Sequence, residues 1–388
     1  MKYTDQSKKI LLLFFLILLF LSVFAQRKKV SMRDSLDDAF DMSDYLIEAH
    51  GFVPVPVIIT EPALGGFGFG IVPVFLKKNP PYIDSVKGKV KVTPVAPTIT
   101  GGIGLYTANN TWLTAAFRKG TFIKSRIKYT VGTGYANINM NFYRTLPQLG
   151  EKKFEFNLKT FPIYLEATKR IGVSHWYAGM KYLFLHENAK YTGDHLLSPE
   201  FVKPKEYNSV VSQLGVIIEL DNRDNIFTPE KGMKAHFDVS RSDNIIGSDY
   251  EYWRLNLYSY GYTSLSKKLI GGVRIDAQQA FGEPPFFMLP YIDMRGVPVN
   301  RYQGKADILT EAELRWDFIR RWSIMFYSGM GKAFDEWSDF GNADLVVTYG
   351  TGLRYFIARK FGLRIGVDLA KGPDTWAYYI VFGSNWFK

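Results

Sequence analysis

From about residue 53 onward, apolar and polar side chains alternate with a period of two, which is the spacing of a β-strand. In the clearest segment the odd-numbered residues form one apolar face: Phe361, Leu363, Ile365, Val367 and Leu369. The positions between them carry Gly362, Arg364, Gly366 and Asp368. A strand with one face in lipid and the other lining a lumen shows this alternation strongly. The pattern therefore favours a β-barrel that crosses a membrane.

Similar segments predict about sixteen strands, centred near residues 71, 102, 115, 126, 138, 161, 180, 214, 236, 257, 274, 313, 326, 350, 365 and 381. Long connections are predicted near 77–96, 188–207, 242–249, 282–307 and 333–344, and short ones near 109, 131, 169–172, 265 and 357–360. Short turns at one end and long loops at the other are typical of transmembrane barrels, and an even strand count places both termini in the periplasm. We predict an all-β fold, a transmembrane antiparallel β-barrel over 53–388 with a short N-terminal helical lead.

The composition agrees with a barrel and excludes several other classes of protein. Aromatic residues make up 16% of the chain and there are 34 glycines. The chain has no cysteine, which excludes a disulfide framework, a thiolate metal site and a cysteine nucleophile. The net charge is +11, but the basic residues are spread out, with no dense run beyond 27–29. We therefore do not expect nucleic acid as a partner, and place the excess charge in the lumen and near lipopolysaccharide phosphates.

The first 25 residues are typical of a cleavable signal peptide. Lys2, Lys8 and Lys9 precede an apolar run that extends from Ile10 to Phe24, and a small-residue cleavage site follows before Gln26. The alternative is a membrane anchor, but the run is shorter than the roughly 20 residues that span a bilayer. The sequence thus predicts export to the outer membrane.

Residues 26–52 form a short polar lead in front of the barrel. Met32, Leu36, Phe40 and Ile47 recur at roughly helical spacing, and Gly51 would end a helix that begins near residue 31. Such a helix would lie at the periplasmic mouth or enter the lumen. A poorly ordered tail is the alternative.

Three stretches carry recognisable motifs. The first is a D-x-R-D-x-x-F-x-P-x-x-G turn formed by Asp221, Arg223, Asp224, Phe227, Pro229 and Gly232. The second is an R-G loop at Arg295 and Gly296 followed by an E-L-R strand that begins at Glu313. The third is the C-terminal repeat made of 352–355, 363–372 and the ending 383–386. Together these stretches, over roughly 205–388, resemble the BamA/TamA-type bacterial surface antigen family of outer-membrane assembly and translocation barrels.

This resemblance implies a sixteen-stranded, non-enzymatic barrel in which the Arg295 loop folds back into the lumen. In the strand near residue 313 the alternation points Glu311 and Glu313 inward, where either carboxylate can pair with Arg295. The alternative is a solvated Arg295 on an extracellular loop. The family often carries an inward Asp on the next strand, whereas the segment 326–331 has no acid. Residues 26–52 are also too short for one of the periplasmic POTRA repeats that family members usually carry.

The resemblance further implies a function in outer-membrane biogenesis or in protein or lipid translocation through a seam between the first and last strands. Prolines at 54, 56, 62 and 73 would weaken that seam, because proline removes ladder donors. The implied partners are outer-membrane lipid and lipopolysaccharide, other outer-membrane proteins, and the assembly machinery that reads an aromatic C-terminal strand signal at Gly383, Trp386 and Phe387. We expect Trp386 to extend the lipid-facing stripe of Trp376, Tyr378, Ile380 and Phe382.

No cofactor or metal site is predicted. The histidines at 50, 175, 186, 195 and 236 lack metal-ligand spacing, and we expect His186 and Glu187 to be solvated. The glycine-rich run 65–70 lacks the strand–turn–helix context of a nucleotide site. Two alternatives stay open: a passive pore or structural subunit of an outer-membrane complex, and a lipid hydrolase with a Ser–His pair on neighbouring strands.

Overall fold

Sixteen strands form one antiparallel sheet that curls into a nearly closed barrel. The computed structural model describes residues 31–48, 52–86, 88–93, 95–146, 150–193 and 201–386, so the predicted signal peptide and Phe387 lie outside the described residues. The barrel strands are β1 (Phe52–Ile59), β2 (Gly68–Lys77), β5 (Thr98–Thr107), β6 (Trp112–Phe122), β7 (Ile127–Leu146), β8 (Gly150–Arg170), β9 (Trp176–Tyr191), β10 (Asn208–Asp221), β11 (Gly232–Ser242), β12 (Tyr252–Ser266), β13 (Leu269–Gly282), β14 (Ala306–Ile319), β15 (Trp322–Phe334), β16 (Val346–Ala358), β17 (Leu363–Lys371) and β18 (Trp376–Phe382). A separate hairpin consists of β3 (Tyr82–Val86) and β4 (Lys89–Thr93). The predicted fold class is confirmed.

The predicted number of barrel strands is right, but two errors in the first half cancel. β1 was not predicted, because its outward positions 54 and 56 carry proline and its inward positions carry valine in place of polar residues. The single strand β7 was predicted as two strands. As a result, the turn that was predicted near residue 131 lies inside β7. The 77–96 connection was predicted to be a long extracellular loop, but it lies at the end of the barrel that carries the chain termini. The hairpin β3–β4 in this connection is held by Asp84, which pairs with Arg126 at 2.6 Å and Arg170 at 2.9 Å.

β7 and β8 are 20 and 21 residues long, about twice the length that crosses a bilayer. Their far ends therefore extend beyond the membrane, at the end of the barrel opposite the chain termini, which we assign to the outside. Inward-facing aromatic residues on this extension pack with Phe286 from the 283–305 loop and Phe201 from the 192–207 loop. The resulting apolar cluster comprises Phe142, Phe154, Phe156, Leu158, Ala189, Val202 and Phe286. The two loops are therefore packed against the wall at the extracellular end of the barrel.

The lead is less helical than the sequence predicts. Within residues 31–48 of the lead, α1 (Ser43–Glu48) is the only α-helix, and residues 31–41 form turns. The carboxylates of Asp34, Asp37 and Asp41 each accept a hydrogen bond from a backbone N–H two residues further on, and such local bonds compete with a helix. None of the helices in the described part of the chain is long and apolar enough to cross a membrane.

The lead docks at the end of the barrel that carries the C-terminus, which we assign to the periplasm. Arg321, in the turn between β14 and β15, pairs with Asp34 at 2.6 Å, Asp37 at 2.7 Å and Asp41 at 2.6 Å. A second arginine, Arg359 in the turn between β16 and β17, also pairs with Asp34. The hydrogen bond from Arg359 lowers the pKa of Asp34, and the bond from Arg321 lowers the pKa of Asp37.

Candidate functional site

The loop between β13 and β14, residues 283–305, folds into the lumen; we name it the inner loop. Its apolar side chains Ile292, Met294 and Val297 are buried against Leu309 and Val346 on the barrel wall. Arg295 is only 3% exposed. The solvated, extracellular position that was the alternative for Arg295 does not describe this structure.

Three carboxylates from two strands surround the Arg295 guanidinium. Its Nε lies 3.3 Å from Oε1 of Glu311, its Nη2 lies 3.1 Å from Oε2 of Glu313, and its Nη1 lies 3.3 Å from Oδ2 of Asp368. The ring of Tyr327 packs beneath the guanidinium at 3.6 Å. Buried arginine–carboxylate pairs have directional strength, so this arrangement can hold the inner loop in one position.

The structure shows why β15 carries no acid at this site. A Cβ placed on Gly329 would lie 2.5 Å from Sδ of Met294 and 2.8 Å from Cγ of Glu311. Gly329 therefore leaves the room that Met294 of the inner loop fills. The third carboxylate comes instead from Asp368 on β17, which the sequence reading placed on the polar face of its strand but did not connect with Arg295.

Two further arginines balance the carboxylates. Arg274 lies 2.7 Å from Glu311 and 2.5 Å from Asp276, and its Nη2 donates to the backbone carbonyl of Asp293 in the inner loop at 3.0 Å. Arg354 lies 2.6 Å from Asp368. Buried charges are tolerated when they are paired in this way, and removing one partner leaves the others uncompensated.

Gly296 is a point of close approach between the inner loop and the last strand pair. Its φ is +85°, and an added Cβ would lie 2.9 Å from the backbone nitrogen of Gly372. The Gly296 N–H donates to the hydroxyl of Tyr379 on β18 at 2.9 Å. The residue after Arg295 must therefore be glycine for the loop to lie against β17 and β18.

The C-terminal tail also enters the lumen, which corrects the predicted lipid-facing stripe. β18 ends at Phe382, and Gly383, with a φ of +80°, turns the chain inward. Trp386 is 1% exposed, and its Nε1 donates to Oε2 of Glu311 at 2.9 Å. A buried indole N–H needs a hydrogen-bond acceptor, and the lumen supplies one whereas lipid does not.

The D-x-R-D-x-x-F-x-P-x-x-G turn is built by its own side chains. Arg223 forms a two-bond fork with Asp221, at 2.8 Å for each bond, and donates to the hydroxyl of Tyr260 at 2.9 Å. Asp224 accepts from the backbone N–H of Glu230 at 3.0 Å. Gly232 has a φ of +94°, which closes the turn. Pro229 is buried within it.

This turn also reaches across to the far wall of the barrel. Asn225 donates to the carbonyl of Phe361 at 3.0 Å, and the carbonyl of Phe227 accepts from the Ser384 N–H at 2.6 Å. Glu230 pairs with Arg315 of β14 at 2.9 Å. The turn motif and the C-terminal tail, which the sequence treats as separate features, are therefore in contact.

β1 and β18 are the two ends of the sheet, and they meet at a seam. Each strand of the barrel is paired with its neighbours in the chain order, but no ladder joins β1 to β18 in the described part of the chain. At the seam the hydroxyl of Thr60, directly after β1, donates a hydrogen bond to the carbonyl of Tyr378 on β18.

The inner loop contacts both sides of this seam at the extracellular end. Glu61, in the turn after β1, accepts from the Val299 N–H of the inner loop at 3.0 Å. Arg301 of the same loop pairs with Asp374, in the turn before β18, at 3.0 Å. Burial raises the pKa of Glu61.

Two minor predictions have different outcomes. His186 faces outward and contacts the amide oxygen of Asn208, whereas Glu187 is 2% exposed and bonded to Thr160 at 2.5 Å, so the expectation that Glu187 is solvated is wrong. Glu187 occupies an odd-numbered position on β9, and the odd-numbered side chains of this part of the strand face the lumen. Over the described residues, no group of three or more His, Asp and Glu side chains could hold a metal ion.

These features define a class: a sixteen-stranded transmembrane barrel with an arginine-held loop inside its lumen and an unpaired seam. No protein-family model matches the chain, and no curated protein matches it. Among solved structures, BamA from Haemophilus ducreyi lacking POTRA domains 1–3 aligns with 85% of this chain at 13% identity and a TM-score of 0.55. CdiB from Escherichia coli aligns with 85% of the chain at 10% identity and a TM-score of 0.57.

CdiB from Acinetobacter baumannii aligns over the same share, at 10% identity and a TM-score of 0.50. The aligned region spans 69% of the BamA chain but only 62% and 58% of the two CdiB chains. The chain thus has the barrel fold of BamA and CdiB, and the predicted resemblance to BamA/TamA-type barrels is confirmed for the fold.

Proposed function

We propose that this barrel acts in outer-membrane biogenesis or in the translocation of protein or lipid, by opening at the seam between β1 and β18. The observation that carries the proposal is that, among the residues the structure describes, no ladder joins β1 to β18, whereas the other neighbouring barrel strands are all paired. A closed seam would satisfy every backbone group in lipid, so an unpaired one needs a functional reason. The shared fold with BamA and CdiB supports the same reading.

The prolines of β1 explain how the sequence weakens this seam. β1 pairs with β2 without interruption, and Pro54 lies opposite Pro73. Because neither residue has an N–H, an unbroken ladder requires that their nitrogens face away from each other. Pro54 and Pro56, two residues apart, therefore direct their nitrogens toward β18 and remove two donors from that edge.

The β2–β5 ladder supports this assignment from the other side. Its pairing is interrupted between Ile71 and Val74, which is where the nitrogen of Pro73 would face β5. The missing N–H of proline thus accounts both for the interruption of the β2–β5 ladder and for the weak edge of β1 at the seam.

In this proposal the inner loop has two functions. It fills the lumen around Arg295, so that the barrel is not an open pore. It also bridges the seam through Glu61 and Asp374, so that loosening the loop and opening the seam are coupled. We propose no enzymatic activity, and a passive pore or structural subunit is the competing function.

A crosslink across the seam tests the proposal directly. Because the chain has no cysteine, cysteines at Thr60 and Tyr378 joined by a short thiol crosslinker give a defined link between β1 and β18. The matched control joins Ile58 to Phe69, which already face each other across the β1–β2 ladder. Loss of growth or of membrane-protein insertion with the seam link alone supports the proposal, and normal growth with a complete seam link contradicts it.

A further inference from the structure

Arg118 places a guanidinium on the outer, lipid-facing wall of the barrel. Every second side chain of β6 faces outward and is exposed, namely those of Trp112, Thr114, Ala116 and Arg118. Arg118 lies opposite Val131 of β7 and Thr100 of β5. A cation on the lipid face of a barrel strand is costly, so a residue kept there is a candidate for function.

The protein satisfies only part of this guanidinium. Its Nε donates to the hydroxyl of Tyr129 at 2.8 Å and its Nη1 donates to Oγ1 of Thr100 at 3.0 Å. Within the described ranges, no carboxylate lies within 4.0 Å of it, whereas the lumenal arginines Arg274, Arg295 and Arg354 are all paired. The positive charge of Arg118 is therefore uncompensated and faces the bilayer.

A shallow, open depression of about 490 Å³ lies on the wall beside Arg118, and we call it the groove. Its outward-facing lining is apolar apart from the arginine and two threonines, and includes Ala116, Val131, Ile163 and Leu165. Small residues on β5 and β6 form its floor, and the branched side chains on β7 and β8 form its edge. The shape and polarity suit a hydrocarbon chain lying along the barrel.

The depth of Arg118 can be read from its neighbours. Phe122 and Tyr129 stack at 4.5 Å between ring centroids near the periplasmic end of β6 and β7, where an aromatic girdle marks the membrane interface. Arg118 is four residues from Phe122, which at about 3.3 Å per residue is roughly 13 Å along a tilted strand. Its side chain reaches from there toward Tyr129, so the charge lies in the periplasmic half of the bilayer, on the side of the periplasmic headgroups.

We propose that this site binds one phospholipid of the periplasmic leaflet. The lipid phosphate would accept hydrogen bonds from Arg118, and one acyl chain would lie in the groove over Ala116. The charge complementarity between guanidinium and phosphate identifies the headgroup, and the apolar lining identifies the chain. The proposal does not depend on opening of the seam, and it holds equally for a passive pore.

Native mass spectrometry of the detergent-purified, folded protein after titration with phosphatidylglycerol tests this site. Arg118→Met removes the charge, and Ala116→Phe fills the groove while keeping the arginine. The matched control is Lys169→Met, which removes another exposed cation from the outward face of β8 near its periplasmic end. Folding of each variant is checked first by its heat-dependent gel mobility.

We expect the wild type and Lys169→Met to hold one tightly bound phospholipid. We expect at least a tenfold weaker Kd for Ala116→Phe and for Arg118→Met. If Arg118→Met does not fold, Ala116→Phe alone decides the result. Unchanged lipid affinity in a folded Ala116→Phe or Arg118→Met variant would overturn the proposal, as would an equal loss in Lys169→Met.

Discussion

Nε1 of Trp386 lies 2.9 Å from Oε2 of Glu311, so the C-terminal tail and the wall that holds the inner loop share a hydrogen bond. Oε2 of Glu311 also pairs with Arg274, and Oε1 of Glu311 pairs with Arg295. The tail follows directly after β18, the last strand of the seam. Glu311 is therefore a physical link between the inner loop and the seam strand.

Trp386→Phe tests this link. The ring still fills its place beside Tyr260 and Tyr262, but the bond to a charged carboxylate is lost, which costs about 1.5–3 kcal/mol. We expect a lower free energy of unfolding in urea and faster protease cleavage within 283–305. Trp376→Phe, on the lipid face, is the control and should change neither.

Arg295→Ala should leave a folded barrel with a freed inner loop. Glu311 and Glu313 would lose their shared partner inside the lumen, at a cost of about 3–5 kcal/mol. Limited proteolysis should then cut within 283–305, where the wild type resists. Arg241→Ala, which removes an arginine paired near the surface with Asp243, should keep the wild-type pattern. An unchanged pattern for Arg295→Ala would count against the lock.

Gly296→Ala should loosen the same loop without touching any charge. The positive φ and the approach to Gly372 together predict a loss of about 1–3 kcal/mol in the free energy of unfolding. Gly341→Ala is the matched control, because a Cβ there would meet nothing within 4 Å and its φ is not positive. Equal stability of the two variants in urea would contradict the close contact between residues 296 and 372.

Docking of the lead should depend on acid pH. The pKa of Asp34 and Asp37 in the folded protein is lowered from the ordinary value of 3.8 by their arginine partners. The stabilisation is therefore fully present above pH 3.8 and is lost as the pH falls through the lowered folded pKa. A single cysteine at Leu46, which is 3% exposed, should be labelled much more slowly at neutral pH than one at Leu36, which is 70% exposed. With a disulfide reagent that reacts with thiols in acid, the ratio of the two rates measured at the same pH should approach one in strong acid, because both sites are then accessible.

The lead can also be released at neutral pH. Arg321→Gln removes the common partner of three carboxylates, so the cysteine at Leu46 should label faster at pH 7. Arg320→Gln is the control, since Arg320 is exposed and has no ion pair in the part of the chain that the structure describes. Equal labelling rates in the two variants would show that Arg321 does not hold the lead.

The alternation of apolar and polar residues was enough to predict most of the barrel strands. Sequence-based prediction failed where prolines or local side-chain bonds to the backbone determine the structure. β14 is an example of success, because Glu311 and Glu313 point inward as their spacing indicates. β1 was missed because proline occupies its outward positions, and proline is usually read as a loop signal. The lead was assigned too long a helix because its aspartates bond locally to the backbone instead of supporting a continuous helix.

The parts of the site that could not be predicted depend on register and on turns between distant segments. The polar face of β17 already contained Asp368, but only the folded barrel places it beside Arg295, 73 residues away. The inward turn at Gly383 likewise needs the third dimension, since a regular continuation of β18 would put Trp386 in lipid. The meaning of Gly329 became clear only from the structure: a glycine where the BamA/TamA resemblance predicts an acid leaves space for Met294 of the inner loop.

The most direct test of the account is ion conductance in planar bilayers, comparing the folded wild type with a deletion of residues 284–304. If the inner loop fills the lumen, the wild type is silent and the deletion conducts. An open wild type whose conductance is unchanged by the deletion would contradict the account and identify the barrel as a passive pore.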